Sequence, residues 1–385
     1  VKFLYLVWKN LWRRKLRTLL TLFSTIVAFV LFGLLVAVRT AFQAGVDVSG
    51  ADRMMVSHKV SFILPLPFAY RERIAAVPGI REVSYMNWFG GVYQDAKNFF
   101  PQMAVDSATF LDLYPEYRLP AAQKQAWLAD RTGAIVGRGT ADRFGWKIGD
   151  RIPIQGTIFR HPDGNSLWQF NLVGIYEGAQ KETDDSGFYF RYDYLNEGMG
   201  GKLGQVGWYI VRIADPSHSD DVAKRVDSLF ANSPAETKTQ TEKQMAQSFS
   251  NQVGNIGTLV TWIAAAVFFT LLLAVGNTMA LSIRERTGEL AVLKTLGFGQ
   301  PLLLAMVLAE SCVVALLGGV LGLGLALMVV PGIGKALRQF LPVFFVPPRF
   351  IALGVALALL LGLAAGLPPA IQAMRLRIVD ALRRV

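Results

Sequence analysis

The sequence has a single cysteine, Cys312, and three scattered histidines, His58, His161 and His218. One thiol permits no internal disulfide and no cysteine metal cluster. His218 stands close to Asp220 and Asp221, but those acids equally suit the first turn of a helix, and no metal site is expected. A phosphate loop of the form Gly-x-x-x-x-Gly-Lys-Ser/Thr is missing. Around Gly200-Gly201-Lys202, Asn196 holds the place of the first glycine and Leu203 that of the hydroxyl. No nucleophile-elbow serine motif occurs either. Catalytic residues, a bound cofactor and ATP hydrolysis are therefore not expected in this chain. Charge is scarce as well. Charged residues make up 17% and apolar residues 52% of 385 positions, against roughly 25% charged in an average soluble protein.

The missing charge is concentrated in long runs. Thr18 to Val38 is uncharged over 21 residues, too long for the apolar part of a secretory leader, about 7–15 residues, and long enough to span a bilayer. Between Lys243 and Arg284 there are 40 residues without a charge. The first part of that run is polar (Ser248, Ser250, Asn251, Gln252, Asn255) and the part from Ile256 to Ile283 is apolar. As one helix it would reach roughly 60 Å, twice the hydrocarbon thickness, so a stalk continuing out of the membrane is expected. Leu302 to Val330 holds one charge, Glu310, and Phe350 to Leu367 holds none. Four spans place both termini on one side.

The net charge of +11 first suggests a nucleic-acid binder. Its distribution removes that reading. Residues 1–17, 284–301 and 375–385 together hold thirteen basic and three acidic residues, which is ten of the eleven net charges. The positive-inside rule puts these three segments, and both termini, in the cytoplasm. The insert 39–243 carries 23 basic and 24 acidic residues, a balance typical of a soluble domain, and is expected outside the inner membrane. The expected fold class is an α-helical membrane protein of four spans, with a large α+β domain inserted between the first and second. The segments are an amphipathic interfacial helix (1–17), span 1 (18–38), the domain (39–243, with a β-rich part at about 121–209), the stalk and span 2 (244–283), a cytoplasmic connection (284–301), span 3 (302–330), an extracytoplasmic loop (331–349), span 4 (350–374) and a cytoplasmic tail (375–385).

Within the insert, Tyr70–Val77 reads as a helix ended by Pro78-Gly79. Val83–Met86 and Val92–Tyr93 read as short strands, and Gln123–Asp130 and Thr140–Phe144 as helices. Arg151–Phe159, the turn signal Asp163-Gly164 and Leu167–Tyr176 read as a hairpin, and Trp208–Ile213 as a strand. Ser219–Phe230 reads as a helix capped by Ser217 or Ser219.

The most specific stretch is the end of span 2 and the connection after it, Asn277-Thr278-Met279-Ala280-Leu281-Ser282-Ile283-Arg284-Glu285-Arg286-Thr287-Gly288-Glu289-Leu290-Ala291-Val292-Leu293-Lys294-Thr295-Leu296-Gly297-Phe298. Glu285 and Glu289 share a helix face at i,i+4, and Arg286 reaches Glu289 at i,i+3. Gly297 suits a helix C-terminus and Pro301 the first turn of the next helix. A solvated interfacial loop, which any polytopic protein needs, would look the same. Glu310 lies roughly 12 Å into span 3, where a carboxylate is costly unless neutral or hydrogen-bonded. Gly318, Gly319, Gly322 and Gly324 suit close helix packing, in the chain's own bundle or with a second copy. The apolar, proline-rich loop Phe340–Pro348 suits the outer interface.

The 277–298 string resembles the signature of the FtsX/MacB-like permeases, the membrane subunits of type VII ABC transporters. The layout of one span, a large domain and three further spans is similar to theirs. Glu310 with the glycine cluster, and Gly366-Leu367-Pro368-Pro369-Ala370, Ala373 and Asp380-Ala381-Leu382-Arg383, resemble further family motifs. The family often has proline where Ile378 stands. Ile74-Ala75-Ala76-Val77-Pro78-Gly79-Ile80, Gly145 with Gly149-Asp150, and Leu172-Val173-Gly174-Ile175 resemble the MacB-like periplasmic core domain.

The resemblance implies that Arg284, Glu285, Arg286, Glu289, Leu290, Leu293 and Lys294 form the helix that docks on a cytoplasmic ABC ATPase dimer, where Mg-ATP is bound. It implies mechanotransmission: the motion of that ATPase passes to the extracytoplasmic domain, for efflux of a drug, peptide or lipid-like substrate. A second copy or a paralogous permease, membrane lipid, and in some hosts a periplasmic adaptor and outer-membrane channel are the implied partners. Lipoprotein release is the alternative within that frame, ahead of regulating cell-wall hydrolases. A membrane-anchored sensor or secondary transporter is the alternative outside it.

Overall fold

The computed structural model describes residues 12–48, 50–252, 256–337, 341 and 343–375. Most of the expected interfacial helix 1–17, Phe340 and Pro342 of the outer loop, and Ile378 and Asp380–Arg383 of the tail lie outside the described residues.

A turn of 3₁₀ helix at Trp12–Arg14 leads into α1 (Lys15–Val48). Then follow β1 (Arg53–His58), β2 (Leu66–Pro67), α2 (Tyr70–Ala75), β3 (Ile80–Trp88), β4 (Gly91–Val92), β5 (Gln102–Val105), α3 (Phe110–Leu113), β6 (Tyr117–Arg118), α4 (Ala121–Ala129) and β7 (Gly133–Gly137). Next come α5 (Arg138–Phe144), β8 (Arg151–Gly156), β9 (Leu167–Gly178), β10 (Phe188–Arg191), α6 (Tyr192–Gly198), β11 (Gln205–Val206), β12 (Trp208–Ile213), α7 (Ser219–Leu229) and β13 (Thr237–Thr241). The chain ends in α8 (Glu242–Gln252), α9 (Ile256–Glu285), α10 (Thr287–Thr295), α11 (Gln300–Leu337) and α12 (Pro348–Met374). Residues 42–254 with 336–343 form one compact unit and the remaining residues the other.

In the helical unit, α1, α9, α11 and α12 are each long and apolar enough to cross a membrane. Their shared core holds Phe29, Phe32, Val36, Val275, Met279, Val314, Leu323, Ala358 and Leu361. Phe29, Phe32 and Phe268 meet edge to face, with centroids 5.3–6.4 Å apart. Small residues set the spacing. A Cβ at Gly318 would lie 2.6 Å from the Thr25 side chain, one at Gly322 2.6 Å from the Ile26 carbonyl oxygen, and one at Gly319 2.6 Å from Ala358. Thus Gly318 and Gly322, four apart on α11, receive α1, while Gly319 receives α12. Gly324, placed in the same packing cluster on sequence grounds, has nothing within 4 Å among the described residues. Gly362 on α12 faces the Cys312 backbone, and Ser311 Oγ donates to the Gly362 carbonyl at 2.7 Å, a buried bond between helices.

The other unit is α+β. Ten strands of its large sheet run in the order β13-β1-β12-β3-β5-β10-β7-β9-β8-β4, with β6 paired to β9 off that path. β5 with β10 and β7 with β9 are parallel; the other pairs are antiparallel. The expected β-rich part at 121–209 supplies β7 to β10 of a sheet whose other strands come from before and after it. The β8–β9 hairpin pairs Arg151 with Asn171 through Gln155 with Leu167. Phe89, Trp168, Phe170, Phe188 and Phe190 are fully buried against one another. Burial of each such ring is worth about 3 kcal/mol.

One cap differs from expectation. The cap position of α7 is His218, without a side-chain cap bond, and Asp215 accepts the Ser217 backbone N–H at 2.9 Å to cap the 3₁₀ turn Pro216–His218 that precedes it. The His218 Nδ1 lies 3.2 Å from Asp215 within the same turn.

Candidate functional site

The connection after α9 is built by local chemistry. Arg286 leaves helical geometry at φ −108°, ψ 14°, and the Thr287 hydroxyl bonds back to the Arg284 carbonyl at 2.8 Å, so the chain bends before α10 begins. At the other end Gly297 takes φ +91°, and the amides of Gly297 and Phe298 close on the carbonyls of Lys294 and Leu293 at 3.1 Å. That left-handed closure favours glycine and ends the helix. Pro301 then sits in the first turn of α11.

Three groups of contacts seat α10 on the ends of the four long helices. The first is ionic. Glu285 accepts Arg17, in the first turn of α1, at 2.8 Å and pairs with Arg14 of the preceding 3₁₀ turn at 3.0 Å, and Glu289 pairs with Arg13 of that turn. The second is the pair between Arg286 Nη1 and Glu310 Oε2, 3.0 Å apart, which crosses from the bend to α11. Arg286 Nε is also 3.6 Å from Glu289, the expected i,i+3 neighbour. The third is apolar. Leu290 is buried with Ile283, Leu303, Val307, Ala370 and Ala373, and Leu293 packs at the edge of that cluster. Lys294 Nζ donates to the Met374 carbonyl at 2.7 Å, a cation on the last carbonyls of α12.

These contacts place the N-terminal ends of α1 and α11 and the C-terminal ends of α9 and α12 together. Glu310 is 8% exposed, and its charge is met by a guanidinium brought in from outside the span. A cavity of about 20 Å³ beside it, lined by Arg17, Thr18, Thr21, Thr278 and Ser282, has room for one water. α10 and its end expose Glu289, Val292, Thr295 and Leu296, and Arg284 is exposed near the end of α9. Leu296 is 70% exposed.

Two family models match the chain: the MacB-like periplasmic core domain over residues 18–229, and the FtsX-like permease C-terminal over residues 258–378. The first alone covers more than half of the sequence. The chain belongs to the FtsX/MacB-like ABC transporter permeases.

The permease is 22% identical to an uncharacterized ABC transporter permease of Methanocaldococcus jannaschii, over 97% of this chain and 96% of that one. It is 28% identical to the macrolide export ATP-binding/permease protein MacB of Nitrobacter winogradskyi, over 46% of this chain and 27% of that one. The permease therefore spans nearly the whole archaeal relative and about a quarter of that MacB chain. Among solved structures, the periplasmic region of MacB from Actinobacillus actinomycetemcomitans is similar at 11% identity and a TM-score of 0.38, over 54% of this chain and 96% of that one.

Of the seven residues assigned to ATPase coupling, four pack or bond against the bundle, while Arg284, Glu285 and Glu289 are exposed, the last with its side chain 47% exposed. Glu285, Arg286 and Glu289 enter the ion network, Leu290 and Leu293 the apolar seat, and Lys294 the end of α12; Arg284 is exposed. Sequence reasoning missed Arg13, Arg14 and Arg17 as members of this site. They read as part of an amphipathic interfacial helix whose charge also sets the topology.

Proposed function

We propose that this permease receives the motion of a separate ABC ATPase at α10 and passes it through its long helices to the α+β domain, to move a drug, peptide or lipid-like substrate outward. One observation carries this reading: the end of α9 and the bend are tied to α1 and α11, and α10 after the bend packs on the ends of α11 and α12, so a push on α10 displaces all four helices together. The printed names of the MacB relatives, which combine macrolide export with ATP binding, support export as the direction.

In this reading the basic end of the bundle faces the cytoplasm of a bacterial inner membrane, in line with the charge asymmetry. The unit works as a pair, of two copies or with a paralogous permease. An adaptor and outer-membrane channel would complete it in a two-membrane host. Mg-ATP stays in the partner. The docking surface is the exposed end of α10, Val292 to Leu296, while the acidic residues hold α10 in place.

Affinity purification of the full-length permease from membranes tests this. A co-purifying ATPase with vanadate-sensitive hydrolysis is expected. Leu296→Asp should remove the ATPase while leaving the permease level in the membrane unchanged. A permease that purifies without any ATPase from gently solubilised membranes would end the proposal.

A further inference from the structure

Arg53 opens β1, five residues past the end of α1 in sequence, and Glu242 opens α8, which leads in sequence toward α9. The two meet inside the α+β unit, where β1 and β13 pair as edge neighbours with Met54 opposite Thr241. Arg53 is 4% exposed. Its Nε donates to Glu242 at 2.8 Å, and its Nη1 donates to Glu116 at 3.0 Å and to the Leu113 carbonyl at 2.9 Å. Its Nη2 donates to the second Glu116 oxygen at 2.5 Å. The guanidinium lies over the Tyr114 ring, 4.4 Å from its centroid, and Tyr114 Oη donates to the other Glu242 oxygen at 2.6 Å. All four carboxylate oxygens are thus engaged. Burial alone would favour a neutral Arg53, but the charges and hydrogen bonds of Glu242 and Glu116 reverse that and keep it cationic.

A buried cluster of this kind, one cation between two anions, is poor evidence of stability, since apolar residues of the same volume often serve as well. It does fix direction: a planar fork matches two carboxylates in one geometry only. The rest of α8 makes the direction matter. None of its described side chains belongs to a buried apolar cluster. Its first turn is held by Thr241 Oγ1, which accepts the Gln244 amide at 3.1 Å, by Gln240, which donates to Met245 Sδ, and by the Glu242 carboxylate. Only the last reaches beyond β13 and α8 themselves, to β1 and the corner after α3.

We infer that Arg53 is a positioning residue that fixes the direction in which α8 leaves the sheet, by binding Glu242 and Glu116 at once. A displacement arriving along α8 then moves β1 and the sheet, where an untethered helix would swivel at Thr241–Glu242. The inference rests on the proposed transmission of motion, and its test separates the two.

Hydrogen exchange is measured on the full-length permease with its co-purifying ATPase in lipid nanodiscs. In Glu242→Gln, which keeps the shape and leaves Arg53 paired with Glu116, residues 242–252 should exchange at least ten-fold faster, with β3 and β12 unchanged. Arg53→Met should do the same. Unchanged exchange of 242–252 in Glu242→Gln overturns the inference, as does acceleration that extends to β12, which would mark a general structural role. ATP with vanadate should alter exchange at 53–58 and 237–241 in the wild type and not in Glu242→Gln. If nucleotide alters nothing in the wild type, the transmission reading fails while the tether is still judged by the first measurement.

Discussion

Arg286 Nη1 and Glu310 Oε2 stand 3.0 Å apart, joining the bend after α9 to the first third of α11. Both side chains are largely enclosed, at 19% and 11% exposure. Glu310→Ala should therefore cost about 3 kcal/mol, most of it from leaving the guanidinium without its partner. Glu310→Gln keeps a hydrogen-bond acceptor and should cost about 1 kcal/mol. The pair Arg286→Leu with Glu310→Leu should recover much of the loss. Thermal unfolding of the detergent-solubilised permease ranks the three. Equal, small losses in all of them would mean that the ion pair does not form.

Packing at α11 is predicted to be position-specific. Gly322→Ala forces a methyl against the Ile26 carbonyl of α1 and should destabilise by about 1–3 kcal/mol. Gly324→Ala meets no described atom within 4 Å and gains helix propensity, so it should be neutral or stabilising by up to about 1 kcal/mol. The same unfolding measurement checks both, and a reversed order would refute the assigned helix contacts.

The acidic residues of the site are predicted to act within the chain. Glu285→Lys sets a third cation beside Arg14 and Arg17 and should weaken ATPase co-purification by detaching α1 from the bend. Adding Arg17→Glu should restore most of it, since the pair is re-formed with its charges exchanged. A direct contact between Glu285 and the ATPase would make the double variant as poor as the single one.

Acid sensitivity in the α+β unit should trace in part to Asp130. Burial alone would raise its pKa, but hydrogen bonds from Asn171 and Thr132 outweigh that and hold it below the usual carboxylate value. A depressed folded-state pKa contributes stability above the unfolded value, near 3.9, which is lost as pH falls through the folded one. Unfolding followed by tryptophan fluorescence between pH 6 and pH 2 should therefore be shallower for Asp130→Asn than for the wild type. Identical pH profiles would remove Asp130 from the account.

Much of this fold was legible because its signals are local. Uncharged runs mark the four long helices, and aromatic and β-branched residues mark Trp208–Ile213, whose bounds the structure repeats although it too is buried on both faces. The strands that escaped lack that contrast. Gly133–Gly137 and Phe188–Phe190 are buried on both faces, so no period of two is visible, and Thr237–Thr241 is polar throughout. The site divides the same way. The bend, Gly297 and Pro301 follow from neighbouring residues. The partners of Glu285 and Glu310 lie 268 and 24 positions away, and only the tertiary fold names them. Gly362, which receives the backbone of α11, carried no sequence signal beyond its composition.

Because β1 and β13 lie side by side, the α+β unit begins and ends at one place on its own surface. To the bundle it amounts to a short excursion, however many residues it contains, and the entropic cost of closing that excursion grows only slowly with its length. Such an insert is interchangeable: a larger, smaller or unrelated body with adjacent ends fits the same two helices.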